Sequence, residues 1–128
     1  MKTIRLLPGA IALTAFAALA PGAASADAAQ AKATAAQHAG LAAASGELDG
    51  VRRHLHHVLN CLVGPDGEGF DESAGNPCGA AGGAIPQTDD AGMKDELMAV
   101  ADEVREAITG EDLAAAQAAA TEVQGKLE

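Results

Sequence analysis

The chain has 128 residues, 18 acidic against 8 basic, for a formal charge of −10. Two Phe with no Tyr or Trp argue against a β-sandwich or barrel, while 33 Ala favour helices that approach one another closely. This length supports one domain, and the acidic balance lacks the Lys/Arg footprint that a nucleic-acid partner needs.

Residues 1–26 have the three zones of a signal peptide. Lys2 and Arg5 give a positive start, Leu6 to Ala20 is apolar, and Ala24-Ser25-Ala26 has the small-x-small form that signal peptidase accepts. The apolar run falls short of the roughly 20 residues of a comfortable membrane span; a retained anchor is the alternative. Cleavage after Ala26 leaves residues 27–128 as a single helical domain, with six basic residues against 18 acidic. Such an Ala-rich, acidic chain suits the periplasm, with full secretion as the other outcome, and no membrane association after cleavage.

From Leu41 the apolar positions run Leu41, Ala44, Leu48, Val51, Leu55, Val58, Leu62, in steps of three and four that mark a helix-packing seam. The spacing recurs in Met93, Leu97, Val100, Val104, Ala107 and in Leu113, Ala116, Ala120, Val123, Leu127. Ser45-Gly46-Glu47 and Thr109-Gly110-Glu111 interrupt the two stretches, each with a hydroxyl to cap, a glycine to bend and an acid for the first turn. The pattern predicts helices over 28–44, 47–63, 89–108 and 111–126. The expected fold is all-α, an antiparallel four-helix bundle made of two hairpins. A first helix running unbroken through Ser45 is the alternative.

Between the hairpins, residues 64–88 read as a long Gly- and Pro-rich loop. Cys61 and Cys78, the only cysteines, would pin it as a disulfide in an oxidising compartment. The rival role for Cys61 is thiolate ligand beside the histidines, since it falls about 20° from His54 around the helix. Asp66 to Glu72 alternates acids and glycines but fails the EF-hand template at Phe70 and Asp71, so it reads as a solvated acidic loop with Phe70 folded back onto the bundle.

His38, His54, His56 and His57 form the one chemical constellation. His54 and His57 share a helix face at i, i+3. A chain reversal at Ser45-Gly46 sets residue 38 level with residues 53 and 54, so His38, His54 and His57 can converge, with His56 peripheral. In an unbroken helix His38 and His54 would stand about 24 Å apart. Imidazole suits Cu, Ni and Zn; surface histidines hydrogen-bonded to acids such as Glu47 and Asp49 are the plainer reading. Met93 or Met98 with a histidine could serve haem, though gap-filling is the commoner work of methionine. No HExxH, GxSxG or P-loop occurs, and the expectation is that the protein is not an enzyme.

The stretch Gln37-His38-Ala39-Gly40-Leu41-Ala42, with His54, His57 and turns of the Ser45-Gly46 and Thr109-Gly110 kind, resembles the small metal-binding four-helix bundles of bacterial periplasms. That resemblance implies binding of copper, nickel or another divalent metal; the Cys61–Cys78 block lies outside it. The expected function is metal buffering or delivery through His38, His54, His57 and His56. The other reading is a metal-free interaction module for an envelope protein, with its histidines merely on the surface.

Overall fold

A computed structural model describes residues 23–128, with side-chain detail from Asp27 onward. The expected signal segment falls mostly on residues 1–22, outside the described residues. Four long helices carry the described chain: α1 (Ala23–Ala44), α2 (Leu48–Val63), α4 (Ala91–Thr109) and α5 (Leu113–Leu127). A single helical turn, α3 (Ala84–Gln87), and two 3-10 turns, Glu72–Ala74 and Gly79–Ala81, lie between α2 and α4. No strand occurs among the described residues. No described helix is long and apolar enough to cross a membrane.

Both predicted interruptions are real, and their chemistry differs from expectation. The hydroxyls of Ser45 and Thr109 do not cap the helices that follow. Thr109 is the last residue of α4, and its Oγ1 donates back to the Glu106 carbonyl at 2.8 Å. Helix α5 starts two residues later than predicted because Asp112 is the cap: its carboxylate accepts from the Ala115 N–H at 2.7 Å. Asp90 does the same for α4, accepting from the Met93 N–H at 2.7 Å. A carboxylate there satisfies an orphan N–H and faces the positive end of the helix dipole. At the first turn Ser45 packs against Gly50, where a Cβ would collide with the Ser45 hydroxyl. That contact explains a glycine inside the first turn of α2.

The two turns are tied to each other. Arg52 Nη2 donates to the Gly110 carbonyl at 2.6 Å, and Gln117 Nε2 donates to the Ser45 carbonyl at 2.8 Å. Helix α1 packs on α2 and α5, and α4 packs on the same two partners.

The core follows the predicted seams in α2, α4 and α5: Val51, Leu55, Val58, Leu62, then Leu97, Val100, Val104, then Ala116, Ala120, Val123, Leu127 are buried. Helix α1 departs from it. Leu41 is 46% exposed and Ala44 is exposed, while Ala31, Ala35, Ala39 and Ala42 are fully buried. The α1 seam therefore lies one position beyond the predicted residues and consists of alanine alone. Small side chains let α1 sit close to both partners, so proximity rather than residue size decided which face turned inward.

The loop is more ordered than its composition suggests. Besides its short helical turns, Ala84 is fully buried and Phe70 packs partly buried against the core, as expected. Arg105 Nη2 donates to the Glu68 carbonyl at 2.8 Å. Cys61 and Cys78 are disulfide-bonded with Cα atoms 5.4 Å apart. That bond removes Cys61 from the candidate metal ligands. Met93 packs against the core, and Met98 is 44% exposed.

Candidate metal centre

Helix α1 reverses into α2 within three residues, and this brings His38 beside His54 and His57. His38 Nδ1 lies 3.3 Å from His54 Nδ1 and 3.2 Å from His57 Nδ1. One ring nitrogen from each of the three lies within 4.8 Å of the other two. The His38 and His57 rings meet edge to face, with centroids 4.7 Å apart. All three side chains are half-buried, as helix positions flanking a seam should be.

His57 is oriented from behind. Its Nε2–H donates to the Ala74 carbonyl at 2.7 Å, which puts the proton on Nε2 and leaves the Nδ1 lone pair pointing at His38. With that tautomer set, protons alone serve the cluster badly. A His38 Nδ1–H would have to be shared between the lone pairs of His57 and His54. Any other neutral assignment sets two lone pairs or two N–H groups face to face. A cation among the three nitrogens satisfies every lone pair at once.

The loop segment that carries this carbonyl is anchored on both sides of Ala74 by a residue to which no sequence motif points. Asn60 is completely buried. Its Nδ2 donates to the Asp71 carbonyl at 2.8 Å and the Gly75 carbonyl at 2.7 Å, while its Oδ1 accepts from the Asp71 N–H at 2.9 Å. Ala74 lies between the two anchored residues. Gly75 has φ +95°, a conformation that glycine adopts without strain, and a Cβ there would stand 3.6 Å from His57 Nε2. His57, Asn60 and Cys61 thus stitch residues 71–78 to one side of α2. The available signal was a lone asparagine inside an apolar helical run, since a buried amide must find partners.

Electrostatics favour neutral ligands. The His38 pKa is lowered from its ordinary value, by burial first and then by His57 and His54. That of His54 is also lowered, by burial first, then by His57 and the Arg53 guanidinium. Both effects keep lone pairs available near neutral pH, as metal ligation requires.

His56 stands apart from the three. Its Nδ1 faces the Asp71 carboxylate at 3.8 Å, and it is no part of the cluster. Asp71 accepts from the N–H and the hydroxyl of Ser73 at 2.9 and 2.6 Å, and these bonds hold its carboxyl below the usual range. Asp49 pairs with Arg52 at 3.9 Å.

Comparison of the chain with protein-family models, curated proteins and solved structures finds no match. The geometry of the histidines therefore carries the functional argument by itself.

Proposed function

We propose that this chain is an exported, non-catalytic protein that binds one divalent transition metal, Cu, Ni or Zn, through His38, His54 and His57, for buffering or delivery. One observation carries the reading: three imidazole nitrogens from two helices converge, with Nδ1 atoms 3.2 and 3.3 Å apart, while a backbone carbonyl holds the far nitrogen of His57. A hydrogen-bonded far nitrogen is the usual outer partner of a metal-ligating histidine. The formal charge of −10 raises the local concentration of cations around the protein. We read the helices as an antiparallel four-helix bundle, akin to the periplasmic metal-binding bundles. Export to the periplasm accords with the signal-like residues 1–26 and with oxidised cysteines. The partner would then be an envelope protein that receives the metal.

The test is a competitive Cu(II), Ni(II) and Zn(II) titration of the untagged protein against a chelator of known affinity. Micromolar or tighter one-to-one binding, abolished by the His54→Ala, His57→Ala double substitution, is the expected result. Failure to compete with even a weak chelator overturns it.

A second reading has its own observation. Met98 is exposed beside Pro65, Ile85 and Pro86 in a shallow apolar hollow rimmed by Asp66 and Arg105. A metal-free interaction module would use such a surface, and its partner binding would survive loss of His54 and His57.

A further inference from the structure

We infer that the three-histidine centre is shaped for a four-coordinate ion of the zinc class, with its fourth position left open to a ligand from outside the protein. The inference rests on the metal reading above and narrows it. Two histidine nitrogens bound at 2.0–2.1 Å stand about 3.3 Å apart at a tetrahedral centre, and about 2.9 Å apart as neighbours in a square-planar or octahedral one. The observed Nδ1 separations from His38 are 3.3 Å to His54 and 3.2 Å to His57. They correspond to an angle at the metal of about 105° for such bond lengths. The third edge, within 4.8 Å, would have to shorten to about 3.3 Å around a shared ion, and rotation of the half-buried His54 ring about its soft χ2 torsion is the movement this requires. A square-planar or octahedral ion would instead have to draw His57 inward, against the Ala74 carbonyl that grips its Nε2.

Ligand type points the same way. Cu(I), which also accepts low coordination numbers, is drawn to thiolate and thioether sulfur. The nearest cysteine along this helix face, Cys61, is sealed in its disulfide. Among the described residues the cluster has three members; the further histidine of the same helix, His56, lies outside it with its Nδ1 3.8 Å from the Asp71 carboxylate, which itself accepts from Ser73. Three protein ligands with partial exposure leave one vertex for water or a small anion. That arrangement distinguishes an open zinc site from a closed structural one.

Co(II) is the probe, because a tetrahedral field lacks an inversion centre and makes its visible d–d bands intense, whereas six-coordinate Co(II) is pale. The untagged, disulfide-intact protein is titrated with Co(II), then with azide, then with Zn(II), and Ni(II) affinity is measured in parallel by competition. The expected result is intense bands at one equivalent, a spectral shift on adding azide, and full displacement by Zn(II). Zn(II) should bind at least about tenfold more tightly than Ni(II), since the site's geometry works against the usual ordering. Pale six-coordinate spectra, or Ni(II) binding as tight as Zn(II), overturn this inference and leave the metal reading standing. Intense bands indifferent to azide overturn the open position. No binding of any of the three ions overturns this inference, and failure of Cu(II) to compete as well overturns the metal reading with it.

Discussion

The Nε2 of His57 and the carbonyl oxygen of Ala74 stand 2.7 Å apart, which fastens a helix residue of the three-histidine cluster to a loop 17 residues further along the chain. The loop is therefore part of the site. Its backbone fixes which nitrogen of His57 faces the other two histidines.

Asn60 should consequently matter to the metal as well as to the fold. Asn60→Ala orphans the Asp71 N–H and the Asp71 and Gly75 carbonyls, and a loss of about 2–4 kcal/mol of stability is expected from unmade buried hydrogen bonds. Metal affinity should fall roughly 10- to 100-fold, as for other outer-shell partners. In a His57→Ala background the effect of Asn60→Ala on affinity should vanish, while in a His54→Ala background it should persist. Thermal unfolding and competitive titration of the three single and two double variants check this. An equal effect in both backgrounds would reduce Asn60 to general stability.

Acid should weaken the protein in a defined window. His38 and His54 have pKa values below the ordinary histidine value, so between that value, about 6.5, and their lowered folded values the unfolded chain binds more protons than the native one. Stability is then fully present above pH 6.5, falls as pH drops through the window, and levels once both folded histidines are charged. Denaturant midpoints measured from pH 8 to 5 should show the decline. His38→Gln combined with His54→Gln should flatten it. Metal affinity should drop over the same range, because each ligand must shed its proton.

The Cys61–Cys78 bond closes a 17-residue span over a glycine-rich loop. Replacing both cysteines by Ala should cost about 3 kcal/mol in the chain-entropy account. Amide exchange should quicken first between residues 64 and 83, where the backbones of Gly64 and Gly83 approach so closely that a Cβ on Gly64 would stand 2.9 Å from the Gly83 nitrogen. Uniform acceleration across all helices would show that the bond supports the fold globally instead.

The seam of α1 gives opposite expectations for two residues six apart on the same helix. Ala35→Leu puts a large side chain into a completely buried position and should destabilise by about 1–3 kcal/mol. Leu41→Ala removes a side chain that is 46% exposed and should change stability by no more than about 0.5 kcal/mol. Equilibrium denaturation of both variants decides between this face and the one that hydropathy alone selects.

Much of the architecture was legible in the residues. Steps of three and four placed the buried faces of α2 and α4, because Leu and Val contrast sharply with the charged residues between them, and that of α5 through the phase set by Leu113, Val123 and Leu127. In α1 the contrast fails. Alanines surround the helix, so hydropathy singles out Leu41 as the seam residue, and packing instead turns Ala35, Ala39 and Ala42 inward. Caps were misplaced for a related reason: Ser45 and Thr109 have capping chemistry, yet Asp112, three residues after Thr109, occupies the position whose carboxylate reaches a free N–H.

The chain sequence by itself determined that this protein is helical, where its helices can be interrupted, that two cysteines are available to pair, and which three histidines a reversal at Ser45-Gly46 would bring level. These follow from local propensity and from helical periodicity, which are properties of near neighbours along the chain. Only the tertiary structure decided that His56 faces Asp71, that Asn60 and Ala74 stand behind His57, and that alanine faces carry α1. Those outcomes depend on which surfaces meet across space and on how a buried amide finds its hydrogen bonds, and neither is encoded in the spacing of residues along one helix.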